Sequence, residues 1–197
     1  MPETVTHPAG RQNIGVLVAV VGPSGVGKDS LINFASTHLS ADRNILFVRR
    51  TITRPADAGS EDHLAMEEGA FLAAEASGAF AVTWTAHGLR YGIPVAARVH
   101  VAGGGVAVLN GSRAALGAIM KAFPRVQVIE ITAQPDILMQ RLGKRGRESE
   151  AAIRQRLVRR IDRYPGDDKA IIIDNSADLQ AAGQRLMDIL HGLAVDG

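Results

Sequence analysis

The strongest constraint in this chain is a glycine loop in a fixed setting. Gly22-Pro23-Ser24-Gly25-Val26-Gly27-Lys28 follows an apolar, valine-rich run at 14–21 and precedes a helical stretch that ends near Leu39. A G-x-x-x-x-G-K sequence between a buried strand and a helix is a phosphate-binding loop, because each part has a physical task. The glycines let successive backbone N–H groups turn inward toward phosphate oxygens. The helix N-terminus adds partial positive charge, and Lys28 is long enough to reach the β and γ phosphates. Gly22, Pro23, Ser24, Gly25, Val26, Gly27 and Lys28 are therefore the candidate ATP cradle, with Lys28 also catalytic. The residue after this lysine is ordinarily Ser or Thr, whose hydroxyl binds Mg²⁺; here it is Asp29, followed by Ser30. A carboxylate is a good Mg²⁺ ligand, but Asp29 also suits the first turn of a helix as a charge. Asp29 is taken as the metal candidate and Ser30, also counted among the nucleotide contacts, as a second candidate for Mg²⁺, with the capping role of Asp29 left open.

Such a loop calls for a parallel sheet, and the rest of the chain supplies one. Runs at 45–50, 106–109, 126–131 and 171–173 read as further strands, and helical patterns fall at 112–122, 135–142, 150–163 and 178–191. Alternation of β and α elements predicts an α/β fold with a five-stranded parallel sheet and helices on both faces. Aromatic residues make up 4% of the sequence against 46% apolar, so the core is built from Ala, Val, Leu and Ile, as parallel sheets are. The segment 51–94 is different: polar, glycine-scattered, with one short helix at 67–76 and one strand at 80–85. It reads as an inserted lobe. Residues 1–13 read as a loose tail, and 14–197 as one domain. The basic, glycine-broken stretch 143–150 has the composition of a lid.

The chain has no cysteine and a formal net charge of +2, which removes disulfides and thiolate metal sites and argues against general nucleic-acid binding. The run at 14–21 is too short to span a bilayer and lacks a signal-peptide cleavage site, so a cytoplasmic protein is expected. Nothing in the sequence speaks to oligomeric state.

Beyond the loop, several blocks resemble the guanylate kinase-like enzymes: Thr51-Ile52-Thr53-Arg54-Pro55, Glu61-Asp62-His63, His87-Gly88-Leu89-Arg90-Tyr91-Gly92, and Arg145-Gly146-Arg147-Glu148-Ser149-Glu150 through Arg156-Leu157. The similarity covers nearly all of the chain after the tail. It implies a P-loop kinase fold in which Arg54 and Tyr91 hold the acceptor phosphate and arginines among Arg145, Arg147 and Arg156 act from the lid. The departures are as informative. Positions that read the guanine edge in guanylate kinases correspond here to Arg50 and Thr85, and the acidic pair after the third strand corresponds to Asn110-Gly111-Ser112. Arg90 replaces an uncharged residue. Losing carboxylates and gaining Arg50 and Arg90 suits a second anionic group rather than a base. The combination is similar to the branch of the family that phosphorylates ribose 1,5-bisphosphate in phosphonate breakdown. The resemblance implies the reaction of ATP with ribose 1,5-bisphosphate to give ADP and 5-phosphoribosyl 1-diphosphate.

The expected substrate-binding set is Arg50, Arg54, His63, Arg90, Tyr91 and Asn110, with Asn175 against the nucleotide; the cofactors are ATP and Mg²⁺. An acceptor whose attacking oxygen is already anionic needs no general base, so catalysis would rest on alignment and charge neutralisation. Two other readings stay open. Guanylate kinase activity would show as GMP phosphorylation without sugar diphosphate. A non-catalytic binding module would fail to bind ATP, although such modules typically lose the loop or lid arginines that this chain retains.

Overall fold

The computed structural model describes residues 14–55, 62–143, 164 and 166–195. Its centre is a parallel five-stranded sheet. Five strands form it: β1 (Val16–Val21), β2 (Ile45–Val48), β7 (Val106–Asn110), β8 (Val126–Thr132) and β9 (Ile171–Asp174), in the order β2-β7-β1-β8-β9. β1 lies in the middle and shows why its sequence has no polar alternation. Val16, Val18 and Val20 pack on one face of the sheet, Leu17, Ala19 and Val21 on the other, and all six are fully buried.

The first face is covered by α1 (Lys28–His38) and α6 (Leu179–Val195). Each helix turns a short apolar stripe inward: Leu31 and Ala35 from α1, and Ala182, Leu186 and Leu190 from α6. The second face takes α3 (Val95–Ala102) and α4 (Leu116–Ala122), through Ala97, Val101 and Ile119. Helices thus lie on both faces, as expected. α5 (Pro135–Gly143) follows β8 and buries Leu138 and Leu142.

The segment between β2 and α3 contains more structure than its sequence announces. The anticipated helix is α2 (Glu68–Ala76) and the anticipated strand is β5 (Phe80–Ala86). To these are added β3 (Thr51–Ile52), β4 (Leu64–Ala65) and β6 (Leu89–Pro94), giving a second sheet in the order β4-β3-β6-β5. This sheet is fused to the main core, since Val82 and Ile93 pack in the same cluster as Leu17 and Leu109. The β5–β6 hairpin turns through His87 (φ 52°) and Gly88 (φ 72°). Two consecutive left-handed residues form the turn that matches strand twist. Ser112 precedes a 3-10 turn at Arg113–Ala115 and makes no side-chain cap.

Candidate active site

The carboxyl ends of β1, β2 and β7 and the hairpin of the second sheet surround a cavity of about 570 Å³. Open α/β sheets bind ligands at this edge. The walls include Gly22, Ser24, Lys28 and Asp29 from the glycine loop and α1, Arg50 between the two sheets, Trp84, His87 and Tyr91 from the hairpin, Asn110 at the end of β7 and Arg113 beyond it. Among these described residues are three basic side chains, Lys28, Arg50 and Arg113, against one carboxylate, Asp29. Such a lining favours a polyanion.

The loop is shaped by its glycines. Gly22 has φ 147°, and a Cβ there would lie 2.4 Å from the carbonyl oxygen of Ile131. Gly27 precedes α1 at φ 95°, and a Cβ there would lie 2.5 Å from Nδ2 of Asn175. Both positions need a left-handed or sterically bare backbone, which glycine supplies. Lys28 Nζ donates to the carbonyls of Gly22 (2.9 Å) and Pro23 (3.2 Å), placing its charge across the mouth of the loop. Asn175 is 2% exposed and lies beneath the loop, not at its mouth. Its Nδ2 donates to the Val26 carbonyl at 2.8 Å, and Arg141 Nη1 donates to the same oxygen at 3.3 Å. Asn175 therefore holds the loop from behind. Its Oδ1 is buried without a hydrogen bond among the described residues.

Asp29 lines the cavity, and its Oδ1 accepts from Asn110 Nδ2 at 2.5 Å, while Ser30 is exposed and outside the lining. Mg²⁺ in kinases usually takes one or two carboxylates, the rest of its shell coming from phosphates and water. One cavity-facing carboxylate beside Lys28 fits that donor set. Among the described residues no cluster of three or more His, Cys, Asp or Glu side chains offers an all-protein cage.

Arg50 is only 7% exposed. Its guanidinium carbon stands 5.8 Å from the Trp84 ring centre and 5.4 Å from that of Tyr91. These two rings are a cross-strand pair stacked 8° from parallel with centres 5.1 Å apart. Cation–π contact and burial fix the arginine in position at the rim. Trp84 is thus a wall of the cavity as well as part of the packing of its sheet.

Three expected substrate contacts stand elsewhere. Arg90 Nε donates to Glu68 at 3.0 Å, away from the cavity. Arg54 borders a separate depression of about 490 Å³ that also contains Thr53, Met66 and Glu67. His63 is 4% exposed and bound to Arg54 twice: its Nε2–H donates to the Arg54 carbonyl (3.2 Å), and its Nδ1 accepts from Arg54 Nη2 (3.4 Å). The lid candidates Arg145, Arg147 and Arg156 lie outside the described residues.

One wall residue escaped the sequence reading. Arg113 Nη2 donates to Glu130 Oε1, and the guanidinium carbon lies 5.6 Å from the ring centre of Tyr164. The Tyr164 hydroxyl donates to the other Glu130 oxygen at 2.5 Å. Burial first, then the hydrogen bond to Glu130 and its negative charge, push the Tyr164 hydroxyl above its ordinary range, so it stays a donor. The signal available in the sequence was a basic residue three positions beyond the end of a buried strand.

No protein-family model matches the chain. The chain is 45% identical over 190 residues to the ribose 1,5-bisphosphate phosphokinase PhnN of Rhizobium etli, covering 96% of each. It is 45% identical to the protein of the same name from Agrobacterium fabrum, covering 89% of this chain and 96% of that one. With the Burkholderia pseudomallei protein it shares 44% identity, over 90% and 96%. Among solved structures, a guanylate kinase from Anaplasma phagocytophilum superposes with a TM-score of 0.65 at 19% identity, covering 92% of this chain and 87% of that one. A gluconokinase from Sinorhizobium meliloti gives 0.51 at 18%, covering 94% and 97%. These two describe a shared P-loop kinase fold.

Proposed function

The chain belongs to the ribose 1,5-bisphosphate phosphokinase family, and from that premise we propose that it transfers the γ-phosphoryl group of ATP to the 1-phosphate of ribose 1,5-bisphosphate. The products are ADP and 5-phospho-α-D-ribose 1-diphosphate, and the setting is phosphonate degradation in the cytoplasm. The observation that carries the reading is the cavity lining: among the described residues, Lys28, Arg50 and Arg113 stand against the single carboxylate Asp29, itself engaged by Asn110. A guanine edge needs carboxylate acceptors for its N–H groups. A sugar bisphosphate needs cations.

An oxygen of the acceptor 1-phosphate attacks Pγ as the bond from Pγ to the β–γ bridging oxygen breaks, and ADP leaves. The attacking oxygen is already anionic, so no proton is removed. The residues align the two phosphates and neutralise charge. The loop N–H groups and Lys28 hold the β and γ phosphates, and Arg50 and Asn110 face the acceptor. Asp29 would hold Mg²⁺, which neutralises charge on the transferring phosphates when bound. Arg145 and Arg147, from a lid at about 143–150, and Arg156, from the segment that follows it, are proposed to neutralise charge on the transferring phosphoryl, and Tyr91 to face the acceptor from the lobe at about 51–94; Arg54, His63 and Arg90, which stand away from the cavity, are given no contact with it.

Direct product analysis with ATP, Mg²⁺ and ribose 1,5-bisphosphate tests this. The expected outcome is stoichiometric ADP and 5-phosphoribosyl 1-diphosphate. Rapid GDP formation from GMP, with no sugar diphosphate, would instead make the protein a guanylate kinase.

A further inference from the structure

We propose that Arg113 is a specificity-determining residue that binds a phosphate of the acceptor, and that Glu130 is its positioning residue. The proposal rests on the acceptor assignment above and adds a cation that the motifs do not mark.

Arg113 follows β7 but is tied to Glu130 on β8, so its side chain crosses in front of β1, beside the start of the glycine loop. Its side chain is 16% exposed, and the cavity is among the surfaces it lines. Glu130 takes a hydrogen from Nη2. Nε is buried with no hydrogen bond among the described residues. A guanidinium carries five N–H donors in a fixed fork, and one carboxylate contact does not exhaust them. Arg113 lines a space whose other cations, Lys28 and Arg50, stand on the loop and at the junction of the sheets.

The supporting frame is more elaborate than an ion pair requires. Glu130 is held at its second oxygen by Tyr164, and the Tyr164 ring lies against the guanidinium. A long side chain is thereby fixed before a ligand arrives, which lowers the entropy lost on binding. A largely buried ion pair is weak evidence for stability by itself. Its place on the wall of a phosphate-handling cavity gives it a use. Arg50 and Arg113 stand at different points along the sheet edge, at β2 and toward β8, which matches an acceptor with two separated anionic groups.

Arg113→Met, Arg113→Lys and Glu130→Gln are compared with the wild type by steady-state kinetics and by calorimetric titration with ribose 1,5-bisphosphate. Arg113→Met is expected to raise both KM and Kd for the bisphosphate on the order of ten- to a hundredfold, the range for a lost hydrogen bond between charged groups. The KM for ATP should stay within about threefold, because only acceptor binding has changed. Arg113→Lys should recover part of the loss, and Glu130→Gln should raise the acceptor KM by an intermediate factor. A folded Arg113→Met protein with wild-type acceptor affinity overturns the inference, as does equal loss of affinity for ATP and acceptor. If Arg113→Met does not fold, wild-type acceptor KM in both Arg113→Lys and Glu130→Gln overturns it. A wild-type protein that forms no product from ribose 1,5-bisphosphate removes the acceptor assignment and this inference with it, whereas normal wild-type turnover with unaffected variants removes Arg113 alone.

Discussion

Lys28 spans its own loop, donating to the Gly22 and Pro23 carbonyls, and belongs to no apolar cluster of the core. Its ammonium can follow charge as a phosphoryl group moves, whereas the loop's N–H groups are fixed. Lys28→Ala should therefore separate chemistry from folding. Turnover is expected to fall at least about a hundredfold, as when an electrostatic contact to the transferring group is removed. The thermal midpoint should move by no more than about 4 °C, since the side chain is half-buried and carries little packing. Coupled ADP release and a calorimetric scan on the same preparation check both halves; unchanged turnover would refute the assignment of the loop. Other residues show where residue-by-residue reading stops. The loop was legible because seven adjacent positions define it. Asn175 was legible as a polar residue after a strand, but its burial beneath Val26 and Gly27 depends on a neighbour 149 positions away in sequence. Arg113 needed Glu130 and Tyr164 to become a site residue at all.

At the scale of elements, burial decides which apolar residues hold the fold. Leu186 of α6 is fully buried against the main sheet, whereas Ile172 of β9 is 64% exposed at the sheet's edge. Leu186→Ala should cost about 3 kcal/mol through lost transfer energy and an unfilled cavity. Ile172→Ala should change stability by no more than about 0.5 kcal/mol. Urea midpoints with unchanged slopes would measure both, and similar losses would mean that α6 does not seal the core as described. The same contrast explains what the sequence revealed. The central strands β1 and β7 are visible because strands buried on both faces are written as nearly unbroken Val, Leu and Ala, and β2, β8 and β9 show as shorter runs rich in Val and Ile. The second sheet hid because β3 and β4 span two residues each and β6 contains Gly92 and ends at Pro94. Strands so short carry no alternation to read, and β3 pairs with β4 and β6 only after distant segments meet. Arg54 and His63 face each other across that pairing, which no local spacing encodes.

For the whole molecule, the cavity is the joint between two sheets. The main sheet contributes Lys28, Asp29, Asn110 and Arg113, the second sheet contributes Trp84 and Tyr91, and Arg50 lies between the end of β2 and the start of β3. Both sheets share a core cluster through Leu17, Val82, Ile93 and Leu109, so a ligand that touches both walls should stabilise the chain as one cooperative unit. Linkage gives the size: a ligand at a hundred times its Kd adds about 2.7 kcal/mol. At this chain length that corresponds to a rise of roughly 5–10 °C in thermal midpoint. Ribose 1,5-bisphosphate is expected to produce such a rise in a differential scanning calorimeter, and ATP with Mg²⁺ a separate one, each increasing with the logarithm of ligand concentration. GMP at the same concentrations should shift the midpoint by less than about 2 °C, because the lining offers one carboxylate, held by Asn110, to a base that needs acceptors. A GMP shift as large as the bisphosphate shift would mean that this cation-rich joint does not discriminate by charge. The preference for a sugar bisphosphate would then have to arise from residues outside the cavity walls.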